Sequence, residues 1–419
     1  MRAALLLPLG VASAFPFMAN DPNLANKHLL ERQQSGGILP GGPETCPFNP
    51  DHQPGHSFSL KFPYNWANNG LPGKGKGGYQ VPAPGDDAHR FIPPTDKDIR
   101  GPCPGLNALA NHGFIARDGV TNLHELVDAA QNVFNMGWDL AVFISAFTIY
   151  LADGDPITTK LSIGCDATTR TSWNPSITGS EPGLDGHNKF ESDASLTRND
   201  YFTANGDNFS LNTTLFKMFA ETTGGLFDFD GVADWKYLSY VRSRTENPDF
   251  FFGPIAIFHH GAASFIYELF PNGNDGYVPT LENTATWYGA KKNRDGSYES
   301  VPERIPDNWV NREDPYSILE IAGQILKMYA KHPVGFGGNV NGNFVGLDFS
   351  PYIKGGEVSL TKPEDVACFL YQLLTARVPS SLNGILTPAV EAVEGILTLL
   401  GGTQWKNLGC PAPLTKRDE

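Results

Sequence analysis

Apolar residues recur along this chain mostly with a helical period and seldom with a strand period. From Leu106 to Leu151 the pattern is helical almost throughout. Within it Leu123, Leu126, Val127, Ala130 and Phe134 follow Thr121 at three- and four-residue spacing, with Glu125 in the first turn. That spacing predicts an amphipathic helix. Asp139 to Tyr150 is nearly all apolar, as in a buried central helix. Helices are also predicted over 211–223, 232–245, 255–270, 315–330, 363–377 and 388–400. Between them, 152–190, 271–310 and the Gly-Asn-rich 335–344 read as loops. Pro248 and Pro254 bracket a short aromatic run, Phe250-Phe251-Phe252. There is no internal repeat and few convincing strands. The expected class is mainly α, one helical domain with a loop-rich N-terminal arm and a C-terminal extension.

Composition sharpens this organisation. Of 419 residues, 40% are hydrophobic and 18% charged, a globular balance with ample length for a large core. The 45 glycines and 33 prolines explain the many loops. Residues 15–92 concentrate them, as in Lys74-Gly75-Lys76-Gly77-Gly78 and Pro82-Ala83-Pro84-Gly85. This stretch reads as the arm, wrapped on the surface. Residues 315–419 are expected to form a helical extension packed on the domain. The net charge of −14 argues against a nucleic-acid partner. It fits a small neutral or cationic molecule, or simply solubility. No protein partner is evident.

Residues 1–14 carry one basic residue, a short apolar run and an Ala12-x-Ala14 cleavage pattern. They read as a secretory signal peptide, too short to span a bilayer. No later run is long enough to do so, and the protein is expected to be secreted. Two sequons, at Asn208 and Asn212, are expected to carry glycans. Five cysteines leave one unpaired in an exported chain. If Cys103 is the free one, three pairings remain. Cys368 with Cys410 is the preferred bridge, and the pairing of Cys46 and Cys165 stays open.

Cys103 lies between Pro102 and Pro104, just before an apolar-periodic segment. The prolines stiffen the turn, and Pro104 suits the first position of a helix. A cysteine at that end of a helix dipole is favoured as thiolate. It would suit an axial haem ligand, though a buried or bridged cysteine has the same spacing.

The longer motif Asp98-Ile-Arg-Gly-Pro-Cys-Pro-Gly-Leu-Asn-Ala-Leu-Ala-Asn-His-Gly113 resembles the proximal motif of secreted fungal haem-thiolate peroxidases. That family comprises chloroperoxidase and the unspecific peroxygenases, the long forms being nearest. Leu161 to Gly164, Asn247 to Phe250 and a late cysteine add to the likeness. It runs from about 93 to 314, the haem-thiolate peroxidase domain. The resemblance implies haem b with Cys103 as axial ligand, since thiolate donates electron density that favours O–O cleavage. Glu191-Ser-Asp-Ala-Ser195 resembles the family's cation site. There Glu191, the Ser192 carbonyl and the Ser195 hydroxyl would hold Mg²⁺ together with a haem propionate. Phe143, Phe190 and Phe265 match phenylalanines that line the substrate channel.

One element departs from the family. The position of the distal acid–base glutamate falls on Ala262, and that of its arginine on Ile255. Neither moves a proton. His259 shares a helix face with Ala262 and is the candidate base, with Glu268 the alternative. The function expected is peroxide-driven oxygenation or oxidation of hydrophobic aromatic or polycyclic molecules. A dedicated oxidase of one secondary metabolite, or a haem-binding protein of weak turnover, is the alternative.

Overall fold

The computed structural model describes residues 46–149, 154–155, 157–175, 183–187, 191–340 and 343–346. Helices dominate these residues. In chain order they carry α1 (Pro104–His112), β1 (Val120–Asn122), α2 (Leu123–Phe134), α3 (Trp138–Phe147), β2 (Lys160–Ser162) and α4 (Thr168–Thr171). Then follow α5 (Thr213–Thr222), α6 (Phe229–Glu246), β3 (Phe251–Phe252), α7 (Phe258–Leu269) and α8 (Leu281–Tyr288). The series continues through β4 (Ala290–Lys292), β5 (Tyr298–Ser300), α9 (Ile318–Lys331), β6 (Gly337–Val340) and β7 (Asn343–Gly346).

The long helical pattern from Leu106 breaks into three helices because of what ends each one. Gly113 closes α1 in the left-handed conformation, φ 74°, and its N–H returns to the carbonyls of Leu109 and Ala110. Asn122 then caps α2, its side chain accepting from the N–H groups of His124 and Glu125. Asn135 ends α2 at φ 53°. Helices α2 and α3 pack together, as do α7 with α6 and α9, and α1 with α8. At Gly261 a Cβ would sit 3.1 Å from Ile321, so the missing side chain lets α9 approach α7 closely. Trp235, Trp287, Trp309 and Tyr316 are fully buried in the single core.

All three stretches expected as loops hold some regular structure, 152–190 carrying β2 and α4. Residues 335–344 contribute β6 and β7, which pair antiparallel, and β6 continues onto β3 with Phe251 opposite Gly338. Glycine removes the alternation by which a strand is recognised, but its backbone still pairs. Within 271–310, Thr280 caps α8, Gly289 ends it at φ 63°, and β4 and β5 form a hairpin. The arm from residue 46 is largely irregular, yet it is sewn into the core. Val81 donates to the Trp309 carbonyl, and Tyr79 donates from its hydroxyl to the Asn132 carbonyl.

Among the described residues Cys46 and Cys165 form a disulfide, and Cys103 is a free thiol. Cys368 and Cys410 lie outside the described residues, as do the signal segment and the predicted helices beyond 346. No described helix is long and apolar enough to cross a membrane.

Candidate active site

A cavity opens between α1, α2, α3, α7 and α9 and offers about 280 Å³ to the centres of water-sized molecules. Its walls are chiefly Leu, Ile, Ala and Phe. The polar side chains reaching it include Cys103, Glu191, Ser195, Arg198, His259 and Tyr288. It thus joins Cys103 to His259 across 156 positions of sequence (259 − 103).

Cys103 is the N-cap of α1, held extended at φ −84° and ψ 110° with Pro104 beginning the helix. The loop before it is braced from inside α1. Asn107 accepts from the Gly101 N–H at 3.0 Å and donates to the Gly101 carbonyl at 2.8 Å. Gly105 carries no side chain to cover the sulfur; a Cβ there would lie 3.9 Å from Sγ. Burial pushes the Cys103 thiol up, while the N–H groups of Leu106 and Gly105 and the Arg198 charge pull it down. Without a cation the helix end does not make a thiolate, because desolvation of the anion outweighs it.

Glu191 and Ser195 reach the cavity, whereas Ser192 is buried behind it. One Glu191 oxygen accepts from Asn208 at 2.8 Å and lies 3.2 Å from His187 Nδ1. The other, Oε1, is buried without a hydrogen-bond partner among the described residues. Burial first, then the Asp200 charge, raise the Glu191 carboxyl to about 8 against the pull of Asn208 and Lys236. Asp193 is raised likewise by burial and by Asp200. Lys236 donates to the Ala194 carbonyl at 2.7 Å, and burial lowers it to about 7. This buried acidic pocket has a deficit of positive charge. Among the described residues, however, no three His, Cys, Asp or Glu side chains are gathered as a metal site. A cation here would need oxygens from outside that set.

On the distal helix α7, His259 and Ala262 both line the cavity. His259 Nε2 lies 3.2 Å from the Ser192 hydroxyl, which ties the helix to the acidic loop. His260 turns away into the core, and burial lowers it to about 3. Glu268 is not brought to the cavity. It pairs with Arg312 at 2.7 Å and accepts from Gln324 at 2.6 Å on the outer side of α7. Six residues beyond Ala262 the helix has turned well off the face, as its 3.6-residue period requires.

Phe143 and Phe265 line the cavity, and Phe190 lies outside the described residues. Asn208, where a glycan is expected from the sequon, sits inside the fold. That residue is fully buried, and its amide donates to Glu191 and to the Asp185 carbonyl. A sequon records three residues, not the exposure of the amide that would be modified. Asn212 is half-buried; its oxygen caps α5 and its amide donates to Asn199. Arg198, Tyr288 and the apolar residues Ile318, Ile321 and Ile325 of α9 also line the cavity and escaped sequence reasoning. Arg198 closes the Glu191 motif, so it was in view without a reason to choose it.

A helical fold in which a free thiol, capping a helix, opens on an apolar cavity has the arrangement that a haem-thiolate oxidoreductase requires. The family described as Peroxidase, family 2 matches residues 89–314, just over half of the chain. An aromatic peroxidase of Fusarium equiseti, fscJ, is 33% identical over 349 residues, 77% of this chain and 78% of that protein. The dothistromin biosynthesis peroxidase dotB of Dothistroma septosporum is 30% identical over 334 residues, 75% of this chain and 78% of its own. An aromatic peroxygenase of Cyclocybe aegerita is 37% identical over 193 residues, 45% of this chain and 51% of that one. The chain belongs to the fungal haem-thiolate peroxidase and peroxygenase family and is a peroxide-dependent oxidoreductase. Membership implies a haem cofactor. The residues present fit one: an uncovered Sγ and an apolar cavity around it.

Proposed function

We propose that the chain is a secreted peroxygenase or peroxidase that uses hydrogen peroxide to oxygenate or oxidise hydrophobic aromatic molecules. The observation that carries this reading is the apolar cavity lined by both the free thiol of Cys103 and the imidazole of His259. Haem bound there supplies the iron at which peroxide is activated.

The other tasks fall to residues of the chain. Cys103 would ligate the iron, its sulfur positioned by the Pro-Cys-Pro turn and Asn107. His259 takes the proton that hydrogen peroxide must lose and hands it to the leaving oxygen; an imidazole suits this because its ordinary pKa lies near working pH. The Ser192 hydroxyl fixes the ring by one nitrogen. Phe143 and Phe265 exclude water and hold an aromatic substrate by its faces. Glu191 through Oε1, the Ser192 carbonyl and the Ser195 hydroxyl would hold Mg²⁺, a hard cation that prefers such oxygens. The first 14 residues direct export.

The test is spectroscopic first. Holoprotein reduced under CO is expected to show the long-wavelength Soret band of thiolate ligation, and Cys103→Ala to lose it. Retention of that band in Cys103→Ala would remove the central assignment. Peroxide-dependent oxidation of a small aromatic by wild type tests the enzyme claim, and its absence overturns it.

A further inference from the structure

Arg198 is the one buried cation in the cavity wall that the proposed chemistry leaves unused among the described residues. Its side chain is 2% exposed. Nε donates to the Pro102 carbonyl at 3.0 Å, one residue before Cys103. Nη2 donates to Glu303 Oε1 at 3.4 Å, and Nη1 is buried with no partner among the described residues. Glu303 Oε1 also accepts from Asn107 at 3.0 Å, and Asn107 is the residue that holds both polar groups of Gly101. Both peptide carbonyls leading to the sulfur, those of Gly101 and Pro102, are therefore held from one side by a network built on a single charge pair.

Such a pair is a poor way to stabilise a core. Desolvating a guanidinium costs several kcal/mol, and here its hydrogen bonding is incomplete. An apolar side chain of the same length would fill the space more cheaply. What the pair adds is a fixed charge of each sign in a low-dielectric wall beside an anionic ligand.

We propose that Arg198 is a positioning residue for the axial cysteine: with Glu303 it clamps the turn before Cys103 and sets how strongly the thiolate donates electrons. This rests on the reading that Cys103 ligates haem iron. The two charges act on the sulfur with opposite sign, Arg198 favouring its anion and Glu303 opposing it. Removing the positive charge should therefore disfavour the reduced, more negative iron–thiolate unit. Removing the negative charge should favour it.

The experiment measures the ferric/ferrous potential of full-chain holoprotein, by dye-coupled titration, together with its reduced CO spectrum. Arg198→Gln is expected to move the potential negative and Glu303→Gln to move it positive. The double variant is expected to return towards wild type, and Arg198→Lys to shift less than Arg198→Gln. A purely structural clamp would move both single variants in the same direction, or neither, and either result overturns the proposal. If Arg198→Gln does not fold, Glu303→Gln decides alone, a positive shift supporting the proposal and its absence overturning it. Failure of the ligand assignment is read separately, from a thiolate-type CO band that survives Cys103→Ala.

Discussion

Two residues on α7 compete for the distal proton, and their surroundings separate them. His259 has access: it lines the cavity and is held at one nitrogen by Ser192. Glu268 has an acid group but no access, since Arg312 and Gln324 occupy its oxygens. His259→Ala is therefore expected to lower kcat/KM for peroxide-driven oxidation of a small aromatic by about 10²–10⁴-fold, the usual range for a positioned acid–base. Glu268→Gln is expected to leave kcat/KM within a few-fold of wild type. It should instead cost about 1–2 kcal/mol of urea-unfolding stability, because Arg312 loses a charged acceptor. The reverse ranking in turnover would return the proton to Glu268. Asn208 makes a second case at this scale. Peptide mapping of material made in a glycosylating host is expected to find Asn208 unmodified, because its amide is spent inside the core on Glu191 and Asp185. A glycan there would require the Glu191 loop to open.

At the scale of elements, the Cys103 turn depends on how closely two backbones cross. A Cβ on Gly101 would lie 1.8 Å from the Ile163 carbonyl oxygen, and one on Gly164 would lie 2.4 Å from that of Arg100. Neither obstacle is a side chain that can swing away, because both are main chain around the β1–β2 pair. Gly101→Ala is expected to cost roughly 3 kcal/mol or more in denaturant unfolding and to displace the turn, weakening the thiolate Soret band. Gly85→Ala is the control. That glycine has φ 82° but nothing within 4 Å, so only backbone strain of about 1 kcal/mol is expected, with the spectrum unchanged. Equal losses for both variants would show that the crossing is slack. Much at this scale was legible in sequence. The α2 periodicity, the Asn and Gly punctuation of the helices and the Pro104 start are local patterns, and local hydrogen bonding decides them. β6 and β7 were not legible, because glycine-rich strands lack alternation and form only when Phe251 and Phe252 offer a ladder from some 85 positions away (337 − 252). The cavity was legible in part. Its thiol lies in a readable motif and its imidazole follows from helix spacing to Ala262, whereas Ile321, Ile325 and the Arg198–Glu303 pair arrive by tertiary packing that no spacing records.

For the whole molecule the consequence of so much buried polarity is a dependence of stability on pH. His112 binds its surroundings in one neutral form only. Nδ1 donates to the His89 carbonyl at 2.8 Å, and Nε2 accepts from the Ile305 N–H at 3.2 Å. A second proton would set two donors against each other. Burial, and next the charges of Arg304 and Arg117 against the pull of His89, lower the ring from 6.5 to about 4. His260 is lowered to about 3 by burial and by Lys236. Both rings stay neutral in the folded chain while the unfolded chain takes up protons near 6.5. Their stabilising contribution is thus complete above about pH 7 and is lost progressively as pH falls towards the folded values. At pH 5 the loss is about 2 kcal/mol for each, from proton linkage alone. Acidification also relieves the repulsion of a chain carrying −14, which works in the other direction. Surface charges are screened within about 8 Å at physiological salt. The buried Glu191 and Asp193 carboxyls, raised in the folded chain, take up protons over the same interval and add stability as pH falls. The net change between pH 7.5 and pH 5.0 is thus a difference of opposing contributions, and the His112 part is isolated by comparing variants in urea unfolding. In His112→Gln, which is less stable at pH 7.5, the stability change on going to pH 5.0 is expected to be more favourable than in wild type by about 2 kcal/mol. An unchanged pH dependence in that variant would place the titrating group elsewhere.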